Sequence, residues 1–228
     1  MMAPPRYALY FMPAVASPLW RFGCRVIGYD AADATPPEPF GRLGGAAEAG
    51  AFAEPARYGF HATLKAPFEL APGRSEAELA AAATRFAARR STLPIGTLKV
   101  ARLERFIALV PVAAPPALED LAGAVVRDFD SFRAPLSAAD RERRLQAPLS
   151  PAEIAHLDRW GYPYVFEDFR FHMTLSGPLR PDRIEALCEM LAGLYAPIDT
   201  PVAVDGFAIF KQAGRQQPFK VLQRFAFG

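Results

Sequence analysis

Lysine, histidine and cysteine are scarce in this chain of 228 residues. Four lysines stand against 22 arginines, and there are only three histidines and two cysteines. Cys24 and Cys188 lie far apart and fit neither a metal-ligand spacing nor a disulfide framework. They read as reduced thiols of a cytoplasmic protein. Net charge is small as well, +2 at pH 7. A non-specific nucleic-acid binder carries a much larger basic excess, so an extended RNA track is disfavoured. No apolar run approaches the roughly 18 residues of a membrane span, and no membrane partner is expected. The N-terminal apolar stretch is interrupted by Pro4, Pro5, Arg6 and Pro13, so no signal peptide is expected. The phosphate-loop pattern G-x-x-x-x-G-K-[ST], the dinucleotide pattern G-x-G-x-x-G and the H-E-x-x-H metal triad are all missing. No serine-hydrolase elbow or cysteine–histidine pair is found. The expectation is therefore a chain with no cofactor and no metal.

What the chain does hold is a globular composition, 51% hydrophobic and 12% aromatic, and one repeated phrase. GFHATLKAP at 59–67 and RFHMTLSGP at 170–178 share the frame x-F-H-x-T-L-x-x-P, 111 residues apart. Two of the three histidines sit in it. The offset is close to half the chain length, which suggests an internal duplication rather than a solenoid.

A coarse reading supports the duplication. Residues 6–12 and 58–70 read as strands, and 30–56 as a long loop with at most one short helix. Ser75 and Glu78 have the capping-box spacing at the head of an alanine-rich helix over 75–90. A hairpin is expected at 96–112 and a helix at 116–132. Residues 133–168 read as a polar insertion with short helical pieces such as SPAEIAHLDRW. A strand at 169–179, a helix beginning at Pro181 and two β-like runs (202–210 and 219–227) complete the chain. After each histidine the order is strand, helix, two strands. The expected fold is α+β. Two pseudo-symmetric βαββ lobes with antiparallel sheets flank a central cleft, and helices cover the outer faces. One domain spans 1–228, with lobes at about 1–114 and 115–228.

Side chains alternate faces along a strand. Phe60, Ala62 and Leu64 then point one way, and His61, Thr63 and Lys65 the other. In the second copy Phe171, Met173 and Leu175 oppose Arg170, His172, Thr174 and Ser176. The polar sets are expected to line one groove. An imidazole can give or take a proton near neutrality. Hydroxyls and cations can hold a phosphate. His61 and His172 are thus candidate acid–base catalysts, with Thr63, Thr174, Lys65, Arg170 and Ser176 as candidate phosphate ligands. His156, on a helix of the insertion, reads as a surface or capping residue.

The twin motifs HAT (61–63) and HMT (172–174) resemble those of the two-histidine (2H) phosphoesterases. RYALYF, RYGFHATLKAPFEL and FRFHMTLSGPL resemble the branch associated with phosphonate metabolism. The resemblance implies two lobes around a cleft, no metal, catalytic His61 and His172, and Thr63 and Thr174 on the phosphate. Members act on small cyclic phosphodiesters, on RNA ends with cyclic phosphates, or on 2′–5′ linkages. The insertion at 133–168 departs from that pattern and leaves the leaving group open. Three functions are compatible: a metal-independent cyclic phosphodiesterase hydrolase, a non-catalytic sensor of a phosphorylated metabolite or RNA end, and an RNA-end 2′,3′-cyclic phosphate processing enzyme. The small-molecule phosphodiesterase is preferred, since both histidines are intact and the net charge is small.

Overall fold

β1 (Arg6–Phe11) is the strand around which the molecule is organised, and Tyr7–Phe11 are all buried. In the computed structural model, which describes residues 4–34, 36–38, 40, 43, 46–198 and 200–228, nine strands and seven α-helices are defined among the described residues. The remaining strands are β2 (Ala62–Glu69), β3 (Leu93–Gly96), β4 (Leu98–Leu103), β5 (Phe106–Pro111), β6 (Met173–Thr174), β7 (Val202–Val204), β8 (Gly206–Gln212) and β9 (Lys220–Ala226). The helices are α1 (Pro18–Ile27), α2 (Ala46–Tyr58), α3 (Glu76–Ala87), α4 (Ala117–Asp128), α5 (Ala138–Arg144), α6 (Pro151–Trp160) and α7 (Pro181–Tyr195).

The fold is α+β, built on an antiparallel sheet in the order β4-β5-β6-β2-β1-β8-β9. The two sequence halves are interleaved in it. The motif strand β6 of the second half lies beside the β4–β5 hairpin of the first. The β8–β9 hairpin of the second half lies beside β1 and, through it, β2. The helices follow the same exchange: α3 packs on β8 and β9, and α7 on β4 and β5. The two parts of the sheet meet where Ala62 pairs with Met173. A division near residue 114 thus follows the duplication in sequence but not the packing. A second small sheet joins the halves again, with Leu93 opposite Val204 and Gly96 opposite Val202. Each repeat is therefore strand, helix and three strands. The extra short strands β3 and β7 were hidden inside longer β-like runs.

Local signals explain most helix ends. Ser75 and Glu78 form both bonds of a capping box at α3, and Ser150 and Glu153 do the same at α6. α1 begins with Ser17 capping Trp20 and Pro18 in the first turn, and ends at Gly28 in the left-handed region. The stretch expected to be mostly loop contains α2, 13 residues long. Much of residues 35–45 of that stretch lies outside the described residues. The expected strand at 169–179 forms regular ladder only at Met173–Thr174. Beyond it the Ile107 carbonyl accepts from both Leu175 and Ser176, at 2.9 and 3.1 Å. One acceptor serving two donors breaks the even spacing that a ladder requires. Among the described residues, no helix is long and apolar enough to cross a membrane.

Candidate active site

The frame's apolar positions do what alternation demands. Phe60, Ala62 and Leu64, like Phe171, Met173 and Leu175, are buried in the core. Phe60 lies against α1 so closely that a Cβ at Gly23 would fall 2.2 Å from its ring. Gly59 precedes it at φ +79°, where a Cβ would strike that of Ala31 at 2.8 Å. This position requires glycine, and the turn it makes aims the Gly59 carbonyl back at His61.

That carbonyl sets the tautomer. His61 Nδ1 lies 2.8 Å from Gly59 O, and a carbonyl only accepts, so Nδ1 carries the proton. Nε2 of the neutral ring is left with a lone pair, and the Thr63 hydroxyl donates to it at 3.2 Å. The second copy repeats the device. His172 Nδ1 donates to Arg170 O, also at 2.8 Å. In both cases the acceptor is two residues before the histidine, so the repeated frame encodes ring orientation as well as the ring. Both histidines, with Thr63 and Thr174, line one cavity of about 400 Å³.

Their surroundings differ. His61 is stacked on Tyr10, with ring centroids 3.6 Å apart and planes at 15°. Burial pushes its pKa down to about 4, against the Gly59 bond that raises it. The proximity of His172 adds to the fall. Among the described residues the ring contact of His172 is a tilted one with Phe106 at 5.8 Å. Burial lowers its pKa as well, opposed by the bond to Arg170 O. Both rings are neutral at neutral pH in the free protein. His172 and Thr63 also line a second cavity of about 560 Å³, so the two spaces meet at the motif residues.

Three expected phosphate ligands are placed otherwise. Lys65 is 4% exposed, and its Nζ donates to Val126 O at 3.1 Å and to Asp130 Oδ1 at 3.3 Å. The reason is a slip in register. Tyr10 pairs with Thr63, but Leu9 pairs with Lys65, so one extra residue is accommodated between them. A one-residue slip moves the following side chains to the other face. Lys65 thus leaves the groove and lies against α4. Burial lowers its pKa to about 8, against the opposing pull of Asp130. Ser176 adjoins the cavity, but it is fully buried and its hydroxyl is committed. It accepts from Ile107 N–H and donates to Gly177 O, both at 3.0 Å, which fills the irregular ladder. Arg170 is exposed, and it lines the larger cavity rather than the smaller one.

Sequence reasoning missed other contributors. Tyr10 sits beneath His61, although RYALYF was recognised as a strand. From the insertion, Arg143, Arg144 and Tyr162 reach the smaller cavity. The run RERR at 141–144 was the available signal. Arg215, from the β8–β9 turn, clamps α5 there with both arms on Asp140 at 2.8 Å, and it bonds Glu69 at 2.9 Å. His156 packs edge-on to Phe166 and faces Glu167 and Asp168. Among the described residues these three form the one cluster that could take a cation, with ligand atoms within 4.8 Å of one another. Neither motif histidine belongs to it.

Among solved structures, the chain is similar in outline to Escherichia coli LigT complexed with 3′-AMP. Identity is 16%, 99% of each chain is covered, and the TM-score is 0.43. Two curated relatives bear the name ribose 1,5-bisphosphate phosphokinase PhnN. The protein from Janthinobacterium sp. (strain Marseille) is 34% identical over 97% of this chain, and that from Laribacter hongkongensis (strain HLHK9) is 37% identical over 95%. This chain spans about half the length of each, 51% and 50%. A family model described as "Protein of unknown function (DUF1045)" matches residues 63–220, from Thr63 through the whole of the second motif. That match takes in more than half of the sequence, and the chain belongs to the DUF1045 family.

Proposed function

We propose that this protein is a metal-independent phosphodiesterase of the two-histidine type that opens a small cyclic phosphodiester. The observation that carries the reading is the pair of imidazoles lining one cavity. Each has Nδ1–H tied to the carbonyl two residues before it, which leaves Nε2 as the nitrogen that serves substrate. At His61 the Thr63 hydroxyl, bonded to Nε2 in the free protein, turns to a phosphate oxygen when substrate binds. His61, held neutral by burial, is the general base. Its Nε2 takes the proton of a water whose oxygen attacks phosphorus. The bond from phosphorus to the ring ester oxygen breaks, and that oxygen takes a proton from His172 Nε2. The product is a phosphate monoester beside a free hydroxyl. His172 acquires its proton when the anionic substrate binds, because negative charge nearby favours the imidazolium. Thr63 and Thr174 donate to the non-bridging oxygens. Each proton transfer contributes on the order of 10²–10⁴ in rate.

The name of the curated relatives supports a phosphorylated ribose as the substrate skeleton, and the resemblance of the motif segments to the phosphonate-associated branch supports a place in phosphonate metabolism. The phosphokinase in that name has no phosphate loop to use in this chain.

A panel of ribose-based and nucleoside cyclic phosphodiesters, followed by phosphorus NMR with excess chelator, tests the reading. Ring-opened monoester is the expected product. Tight binding of one compound without turnover of any would replace the enzyme with a sensor. Turnover lost to chelator and restored by a divalent ion would overturn the metal-independent chemistry.

A further inference from the structure

The insertion helix α5 carries Arg141, Arg143 and Arg144 in one turn. Two of the three are neutralised. Arg141 makes a forked bond to Asp158 at 2.6 and 3.0 Å, and Arg143 meets Asp140 at 2.6 Å. Arg144 has no carboxylate partner among the described residues. Its Nε is buried and makes no hydrogen bond among the described residues, while its guanidinium lies 5.0 Å over the ring of Tyr162. A buried donor without an acceptor is costly unless a ligand supplies the acceptor.

Arg144 and Tyr162 both line the cavity that holds His61 and His172. Its volume of about 400 Å³ lies in the range of small-ligand sites. Among the described residues Glu54 is the single carboxylate on its wall. The larger cavity beside it is lined by four carboxylates, Glu104, Glu153, Glu167 and Asp168, against two arginines, Arg102 and Arg170. The balance of lining charges therefore favours an anionic group in the smaller space, where Arg6, Arg143 and Arg144 face one carboxylate. A guanidinium stacked on an aromatic face keeps its in-plane N–H groups free for a forked bond to phosphate or carboxylate.

We propose that Arg144, backed by Tyr162, binds a second anionic group of the substrate, such as a phosphate monoester remote from the cyclic phosphodiester. The inference rests on the phosphodiesterase reading above and adds a selection rule to it: doubly charged small ligands over singly charged ones. The arginine is held in place by structure around it, because Arg215 and Asp140 fix α5 to the sheet.

The test compares ribose 2,3-cyclic phosphate with and without a 5-phosphate. The wild type is expected to favour the phosphorylated form in kcat/KM by about tenfold or more, the worth of a charge-assisted hydrogen bond. In Arg144→Gln that ratio is expected to fall to about one, and in Arg144→Lys to an intermediate value. Equal kcat/KM for the two forms in the wild type overturns the subsite and leaves the phosphodiesterase reading standing. So does a ratio unchanged by Arg144→Gln. If neither form is turned over, the panel above decides the phosphodiesterase reading, and calorimetric binding of the same pair decides the subsite. A tenfold preference lost in Arg144→Gln then supports it, and equal affinities overturn it.

Discussion

The two copies of the motif share a frame but not an environment. His61 stands at the head of an eight-residue strand, stacked on Tyr10 and bonded to its own Thr63. His172 precedes a two-residue strand, touches Phe106 at a tilt, and opens onto two cavities. What is kept between them is the bond that fixes ring orientation, at the same distance from the same relative position. What differs is how hard each ring is to charge. Under the proposed mechanism this difference gives the base role to His61, the ring that stays neutral to lower pH.

Replacement of the histidines breaks the comparison most severely. His61→Ala and His172→Ala are each expected to lower kcat/KM on the order of 10²–10⁴-fold, measured on whichever cyclic phosphodiester is turned over fastest. The double variant is expected to be little worse than either, since the two act as one unit. Loss confined to one of the two variants would dissolve the pair.

The next test sharpens the asymmetry. With His61 held to about 4, the acidic limb of kcat/KM for the free protein belongs well below the ordinary histidine value of about 6.5. Tyr10→Leu removes the stacked ring. It is expected to move that limb upward and to raise His61 toward 6.5 in proton-detected NMR titration, with His172 nearly unmoved. Stability follows the same sign. Both histidines are depressed, so the native state holds fewer protons than the unfolded state between about pH 6.5 and 4. Unfolding free energy is full above that window and falls as pH drops through it. His61→Gln should flatten the fall in urea titrations, and an unchanged slope would remove His61 as its source.

The hydroxyls come next. Thr63→Val and Thr174→Val are each expected to cost about 1–3 kcal/mol of transition-state stabilisation. Only Thr63→Val should also displace the pH profile, because only that hydroxyl bonds an imidazole nitrogen directly. Equal displacement by both would erase the distinction. The smallest effect on turnover is expected from Lys65→Met. Arg133 and Arg159 still face Asp130, so the substitution should lower stability by about 1–3 kcal/mol and leave kcat/KM within a few-fold. A hundredfold loss in a folded variant would return Lys65 to the phosphate.

Part of this site was legible in the residues. Period-two alternation placed Phe60, Ala62 and Leu64 in the core and His61 and Thr63 on the groove. It could not place Lys65, because the register slip between Leu9 and Tyr10 depends on how β1 and β2 meet, and not on either strand alone. The capping box at Ser75 gave α3, and SPAEIAHLDRW was read as a helical piece where α6 lies, whereas α1 went unread despite Ser17, Pro18 and Gly28 at its ends. Ser176 looked like a groove residue by alternation. Its hydroxyl is taken by a ladder irregularity that only the neighbouring strand reveals. The insertion showed its charge run, but the partners that single out Arg144 lie 14 or more residues from α5 or on its own helix. Local chemistry was therefore readable, and long-range pairing was not.

The interleaved sheet has a consequence for synthesis. β1 cannot receive its second neighbour until residues 206–212 have left the ribosome, and α3 must wait for the same hairpin. The first half of the chain thus emerges with open strand edges and an uncovered apolar helix face. Contacts of such high sequence separation slow folding and prolong exposure to aggregation. Chaperone demand should consequently track translation of the last quarter of the chain, and a fragment ending near residue 114 should be retained by holdases rather than fold.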